Sequence, residues 1–232
     1  HNVSEDLKLQ YRYIDLRSRK LQNNLKFRSN LLKVIRDYFH ENEFIDVETP
    51  ILTKTTPEGA RDYLVPSRLK KESFFALPQS PQIFKQTLMI GGIEKYYQIA
   101  RCFRDEDLRS DRQPEFTQLD VELAFATEEK IIDLTEKLFH KIFKDIFSVN
   151  NVVFNKMTYE DAMDNYGCDK PDLRNPLKMI SIKEDIKDTK FKVFSDPANT
   201  QDGKVVALRV PGGNKLSRNC LLYTSDAADE VL

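Results

Sequence analysis

Residues 96–125 read YYQIARCFRDEDLRSDRQPEFTQLDVELAF, and this stretch decides the fold. Two alternating runs flank a polar loop from Asp107 to Pro114, the pattern of two strands joined through a turn. Because successive strand residues take opposite faces, Tyr97, Ile99, Arg101, Phe103 and Asp105 share one side of the first strand. Ala100, Cys102, Arg104 and Glu106 share the other. On the second strand Leu119, Val121, Leu123 and Phe125 form an apolar face, opposite Gln118, Asp120 and Glu122. An antiparallel sheet with one packed and one polar face is expected.

Working outward, Phe27, Leu31, Val34, Ile35, Tyr38 and Phe39 recur at helical spacing, which predicts an amphipathic helix over Leu16–Asn42. Phe44–Leu52 reads as extended, since Pro50 disfavours the helical region for Thr49. A Thr/Pro/Gly loop follows from Thr53 to Arg61, then a short strand at Phe74–Leu77. Ser80 and Pro81 read as cap and first turn of a helix that ends at Gly91-Gly92. After the hairpin, Thr127 caps another helix, Glu128 and Glu129 suit its positive end, and Ile131, Leu134, Leu138, Ile142, Phe143 and Ile146 form its buried stripe. Beyond Asn150, Pro171, Pro176 and Pro197 divide the chain into short pieces such as Phe191–Phe194 and Val205–Val210, a separate α+β region.

Composition narrows the classes. Lys+Arg total 36 against 37 Asp+Glu, so no global basic field points to nucleic acid. The 3 cysteines, Cys102, Cys168 and Cys220, are too far apart for metal-ligand spacing, and their odd number argues against a disulfide framework, which fits a reducing cytoplasm. No apolar stretch approaches the ~20 residues of a spanning helix, so no membrane is expected. His1, His40 and His140 are scattered, and no Gly-rich phosphate loop or nucleophile elbow occurs. What remains is the polar sheet face, where Arg104 meets Glu106, Gln118, Asp120 and Glu122. A guanidinium among carboxylates can grip a phosphate and an amine, and chemistry there would run by positioning and electrostatics. The same pattern also fits a solvated sheet face with surface ion pairs.

FIDVETPILTKTTPEGARDYLVPSR (44–68), FFALPQSPQIFKQ (74–86), YYQIARCFRDEDLRSDRQPEFTQLDVE (96–122) and GCDKPDLRNP (167–176) resemble bacterial-type aspartyl-tRNA synthetase. The likeness runs from about Leu7 to Asn219. It implies an α+β chain: a class II synthetase antiparallel catalytic sheet flanked by helices over 1–153, incomplete, then the start of the bacterial insertion domain over 154–219, with KVVALRVPGG (204–213) its clearest string. By resemblance, Phe44–Leu52 is the first class II motif, with Pro50 at a homodimer interface, and Phe103–Phe116 the second.

The implied activity is ATP-dependent attachment of L-aspartate to tRNA(Asp), or to tRNA(Asp) and tRNA(Asn) both, through aspartyl-adenylate, with Mg2+ assisting. Arg104 is the catalytic residue by this likeness, neutralising the α-phosphate and holding the substrate carboxylate. Asp105, Glu106 and Gln113 complete the ATP site, Glu106 receiving the adenine amino group. Glu58, in a mobile TPEG flap, binds the aspartate ammonium together with Asp120. Ser80, Gln82 and Lys85 form the amino-acid pocket, Lys85 meeting the side-chain carboxylate. Arg109 and Arg112 face the tRNA acceptor end. Two other readings share the framework: an asparaginyl- or lysyl-type synthetase, and a synthetase-like binding protein without catalysis.

Both ends are expected to be cut. His1 begins without a domain start, and Cys220–Glu230, CLLYTSDAADE, resembles a translated transposase adapter from sequencing libraries, which makes 220–232 extraneous. The family's anticodon-binding barrel, third motif and magnesium carboxylates have no counterpart in these residues. The metal ligands therefore stay unassigned, and the chain alone is not expected to turn over.

Overall fold

The structure, a computed structural model, describes residues 3–107 and 112–217. It separates into two compact units after Phe154. In the first, helices α1 (Glu5–Gln10) and α2 (Arg12–Asp15) precede the long α3 (Arg19–Glu41). α3 starts later than its apolar periodicity, because Ser18 is extended and its side chain accepts from the Leu21 amide, capping the helix there. Strand β1 (Ile45–Asp46) follows, then β2 (Leu64–Pro66) and β3 (Phe74–Ala76), which pair antiparallel. Helix α4 (Gln82–Ile90) leads to β4 (Lys95–Phe103), β5 (Glu115–Leu123) and α5 (Glu128–Phe147).

β4 and β5 pair in unbroken antiparallel register from Lys95↔Leu123 to Phe103↔Glu115. Ile45↔Tyr96 and Asp46↔Tyr97 add β1 in parallel, so the sheet, in order β1-β4-β5, is mixed rather than antiparallel throughout. Alternation cannot report strand direction; the long excursion through β2, β3 and α4 between β1 and β4 is what permits a parallel partner.

The core lies on the expected apolar face. Ile35, Tyr38 and Phe39 of α3, Phe44, Tyr97 of β4 and Leu138 of α5 form one buried cluster, with Leu31, Ile99, Val121, Leu123, Leu134 and Ile142 packed against it. Phe39 stacks on Tyr97 at 4.8 Å between ring centroids and meets Phe44 edge-on at 5.0 Å. Burying each such side chain contributes about 1.5–3 kcal/mol. α5 is capped as expected, Thr127 accepting from the Lys130 amide. Phe125 corrects the reading of its strand: β5 ends at Leu123, Phe125 has φ +52° and is 95% exposed. The chain must reverse into α5 there, and the left-handed conformation turns the ring away from the core.

The second unit is α+β. α6 (Tyr159–Tyr166) is capped by Thr158 and closed by Gly167, and β6 (Met179–Ser181) pairs antiparallel with β7 (Val206–Leu208). Between them lie α7 (Lys183–Ile186) and α8 (Lys192–Asn199). Phe194 and Pro197 both sit inside α8, so Pro197 does not break the chain where it stands; the helix ends two residues later. Gly203 has no alternative, since a Cβ there would lie 1.9 Å from the Pro197 carbonyl oxygen. Cys220 and the expected extraneous tail 220–232 fall outside the described residues.

Candidate functional site

The polar face of β4–β5 is not a wet surface. Tyr96, Gln98, Ala100 and Cys102 are all buried, because α4 and the segment before it lie over that face. Polar groups buried there must find partners. Lys85, from the middle of α4, sends its ammonium to Asp120 Oδ1 at 2.8 Å and Glu122 Oε2 at 3.1 Å. The Lys85 and Asp120 side chains are each 11% exposed, and Glu122 is 33% exposed. Burial pulls the ammonium down, but its hydrogen bonds and charge pairing with Asp120 and Glu122 outweigh that and hold it above the ordinary lysine value. Gln98, opposite Asp120 in the register, accepts from Tyr96 Oη at 2.8 Å and Thr49 Oγ1 at 3.0 Å. Burial, reinforced by the Asp120 charge, pushes the Tyr96 phenol up. Burial and Asp120 likewise raise the Cys102 thiol to about 11, and its Sγ lies 3.1 Å from Gln118 Oε1.

Among the described residues, two buried atoms in this region have no hydrogen-bond partner: Arg104 Nε and Asp120 Oδ2. Orphaned polar atoms cost about 1–3 kcal/mol each, so a cation-seeking oxygen and an anion-seeking nitrogen are both held in readiness for a ligand. The Arg104 guanidinium lies 5.2 Å from the centroid of the Phe116 ring, and its amide donates to Pro114 O at 2.9 Å. Arg104, Glu106, Asp107, Arg112, Gln113, Pro114 and Phe116 line a cavity of about 400 Å³. Within it Arg112 stands 3.5 Å from Glu106. The cavity thus presents two guanidinium groups beside two carboxylates and an amide, donors and acceptors for a phosphate and a heterocycle.

The structure brings the expected residues together in three groups. Arg104, Glu106, Arg112 and Gln113 share the cavity just described; Lys85 and Asp120 are in direct contact. Glu58 and Ser80 also meet: Ser80 Oγ donates to Glu58 Oε2 at 2.6 Å, and Thr56 Oγ1 donates to Oε1 at 3.0 Å. That bond revises Ser80, whose hydroxyl makes no capping bond; Pro81 occupies the cap position of α4, and Gln82 opens the helix half-buried. Asp105 is not among the residues lining the Arg104 cavity. Its backbone bridges to Arg61, and its carboxylate lies 3.9 Å from the Arg61 guanidinium. Pro50 is exposed, on the rim of a second cavity of about 540 Å³ that includes Leu52, Glu58, Phe74, Phe75, Ser80 and Ile83. Arg109 lies outside the described residues.

Glu122, placed on the polar face by alternation, joins Asp120 at Lys85, while Gln98 and Phe116 take part without having been singled out, although alternation puts both on the face of Asp120. Among the described residues no group of three or more His, Cys, Asp or Glu side chains is arranged to hold a metal ion. No helix among the described residues is long and apolar enough to cross a membrane.

The family model described as tRNA synthetases class II (D, K and N) matches residues 4–208.

Proposed function

The chain belongs to the class II tRNA synthetases (D, K and N), a family of aminoacyl-tRNA ligases working on ATP, an amino acid and tRNA, and we propose that its amino acid is L-aspartate. The observation that carries this choice is Lys85, a buried cation on the polar sheet face, paired with Asp120 and Glu122. A side-chain carboxylate can take the place of one of those two partners at the ammonium. Asparagine offers only a dipole there, and lysine a like charge. Asp120 Oδ2, buried and unpartnered, together with Glu58, suits the α-ammonium.

In the first step a carboxylate oxygen of aspartate attacks the α-phosphorus of ATP. A P–O bond to the carboxylate forms as the bond to pyrophosphate breaks, giving aspartyl-adenylate. Arg104, held over Phe116 with its Nε free, takes up the negative charge that builds on the α-phosphate. Glu106 accepts the adenine amino group, and Gln113 touches ATP from the same cavity. In the second step a ribose hydroxyl of the terminal tRNA adenosine attacks the activated carbonyl, and AMP leaves. Arg112, with Arg109 nearby in sequence, meets the acceptor end of tRNA(Asp), or of tRNA(Asp) and tRNA(Asn) both. The reading includes a cytoplasmic homodimer joined through the Pro50 surface, where exposed Leu52, Phe74, Phe75 and Ile83 supply apolar area.

Isothermal titration of the whole chain with non-hydrolysable aspartyl-, asparaginyl- and lysyl-adenylate analogues tests the choice. The aspartyl analogue should bind at least tenfold more tightly, and Lys85→Met should erase the preference. Tightest binding of either other analogue would overturn it.

A further inference from the structure

Gln79 is 1% exposed, one of the largest fully buried side chains among the described residues, and it belongs to none of the groups of site residues above. Its amide is almost fully used. Nε2 donates to Ala60 O at 2.8 Å and to Asp62 Oδ1 at 2.5 Å, while Oε1 accepts from the Ala60 amide at 3.2 Å. Exchanging both hydrogen bonds with the N–H and C=O of one residue is what a residue in an antiparallel pair does for its partner, so the side chain acts as a single-residue strand laid against Ala60. Only a primary amide of this length supplies a donor and an acceptor side by side together with a second donor.

Its place in the chain is the telling part. Ala60 is two residues after Glu58, and between them Gly59 has φ +103° with open space where a Cβ would stand. Arg61 is pinned in its turn by the bridge to Asp105. From Ala60 to Asp62 the loop is therefore anchored, whereas Glu58 lies beyond a residue free to pivot. Ser80, the immediate neighbour of Gln79, holds the Glu58 carboxylate at 2.6 Å. Adjacent residues thus clasp the root of the loop and catch its tip.

We propose that Gln79 is a positioning residue: by fixing Ala60 and Asp62 it makes Gly59 the hinge and sets the place to which the Glu58 carboxylate returns when an amino acid is bound. The proposal rests on the reading that Glu58 binds the substrate ammonium.

The test uses the whole chain with Gln79→Met, Glu58→Gln and the double variant. Without ligand, the Ala60 amide should exchange its hydrogen at least tenfold faster in Gln79→Met, with the β4–β5 amides unchanged. Affinity for L-aspartate should fall about tenfold in each single variant, the double falling less than threefold further, while affinity for ATP stays within twofold. Those are changes a general loss of stability would not separate. If Glu58→Gln weakens aspartate and Gln79→Met does not, the proposal fails and the reading of Glu58 stands. If Glu58→Gln leaves aspartate affinity unchanged, that reading fails and takes the proposal with it. Should Gln79→Met lose its cooperative melt, Asp62→Ala removes one of the three bonds from a half-buried residue; about threefold faster Ala60 exchange is expected, and an unchanged rate overturns the proposal.

Discussion

Lys85→Met isolates the electrostatic centre of the site. Methionine keeps nearly the volume and length of lysine, so no sizeable cavity forms and the loss is one of charge. The side chains of Lys85 and Asp120 are each 11% exposed, so removing the ammonium leaves a buried carboxylate facing Glu122 on the same strand. Breaking a buried pair by deleting one partner costs about 3–5 kcal/mol; the more exposed Glu122 arm adds little, which favours the lower end, about 3 kcal/mol. For a unit of this size that corresponds to a fall in Tm of roughly 6–12 °C. Urea titration followed by tyrosine near-ultraviolet dichroism would measure it. Lys85→Met/Asp120→Asn should recover at least half of the difference from wild type at pH 7. A Lys85→Met variant within 0.5 kcal/mol of wild type at pH 7, or a deficit that Asp120→Asn does not relieve, would refute the reasoning.

Stability should fall on the alkaline side. Burial raises the Cys102 thiol from 9.0 to about 11, and burial with Asp46 raises the Tyr97 phenol from 10.0 to about 12, so the folded chain keeps protons that the unfolded chain releases. Their contribution is complete below pH 9 and lost progressively towards pH 12, with Lys85 acting in the same sense; urea midpoints constant from pH 8 to 11 would contradict this. Thiol labelling at pH 8, read by mass spectrometry, should modify exposed Cys168 at least 100-fold faster than buried Cys102. Phe116→Leu removes the ring beneath Arg104 and should weaken ATP binding about fivefold, the equivalent of ~1 kcal/mol, with aspartate affinity unchanged; equal loss for both ligands would count against a local role.

Local chemistry was legible where it was periodic. The two faces of β4–β5, the Thr127 cap and the end of α4 at Gly91 follow from alternation, capping and glycine alone. Partners far apart in sequence were not. Nothing in Phe44–Leu52 announces that β1 runs parallel to β4, and nothing in Ser80 shows that a residue suited to capping a helix donates instead to Glu58. Alternation put Asp120 beside Glu122, yet only the packing of α4 over the sheet delivers Lys85 between them. That same packing turns a face that could have been solvated into a buried one. Gln79 was the least visible of all, since its role lies in a backbone it meets through the fold, not in any pattern of its own.

The β4–β5 ladder runs through nine consecutive pairs without a bulge. Its side chains sort strictly by parity, so the gene tolerates substitutions here far better than changes of length. Deleting one codon within Lys95–Phe103 would exchange the two faces beyond the cut: the neighbours of Asp120 would turn toward Phe39, and Tyr97 or Ile99 toward Lys85. Loss of two codons restores parity and spares the sorting. Among variants of this chain, even-numbered length changes in the two strands should therefore survive far more often than odd ones.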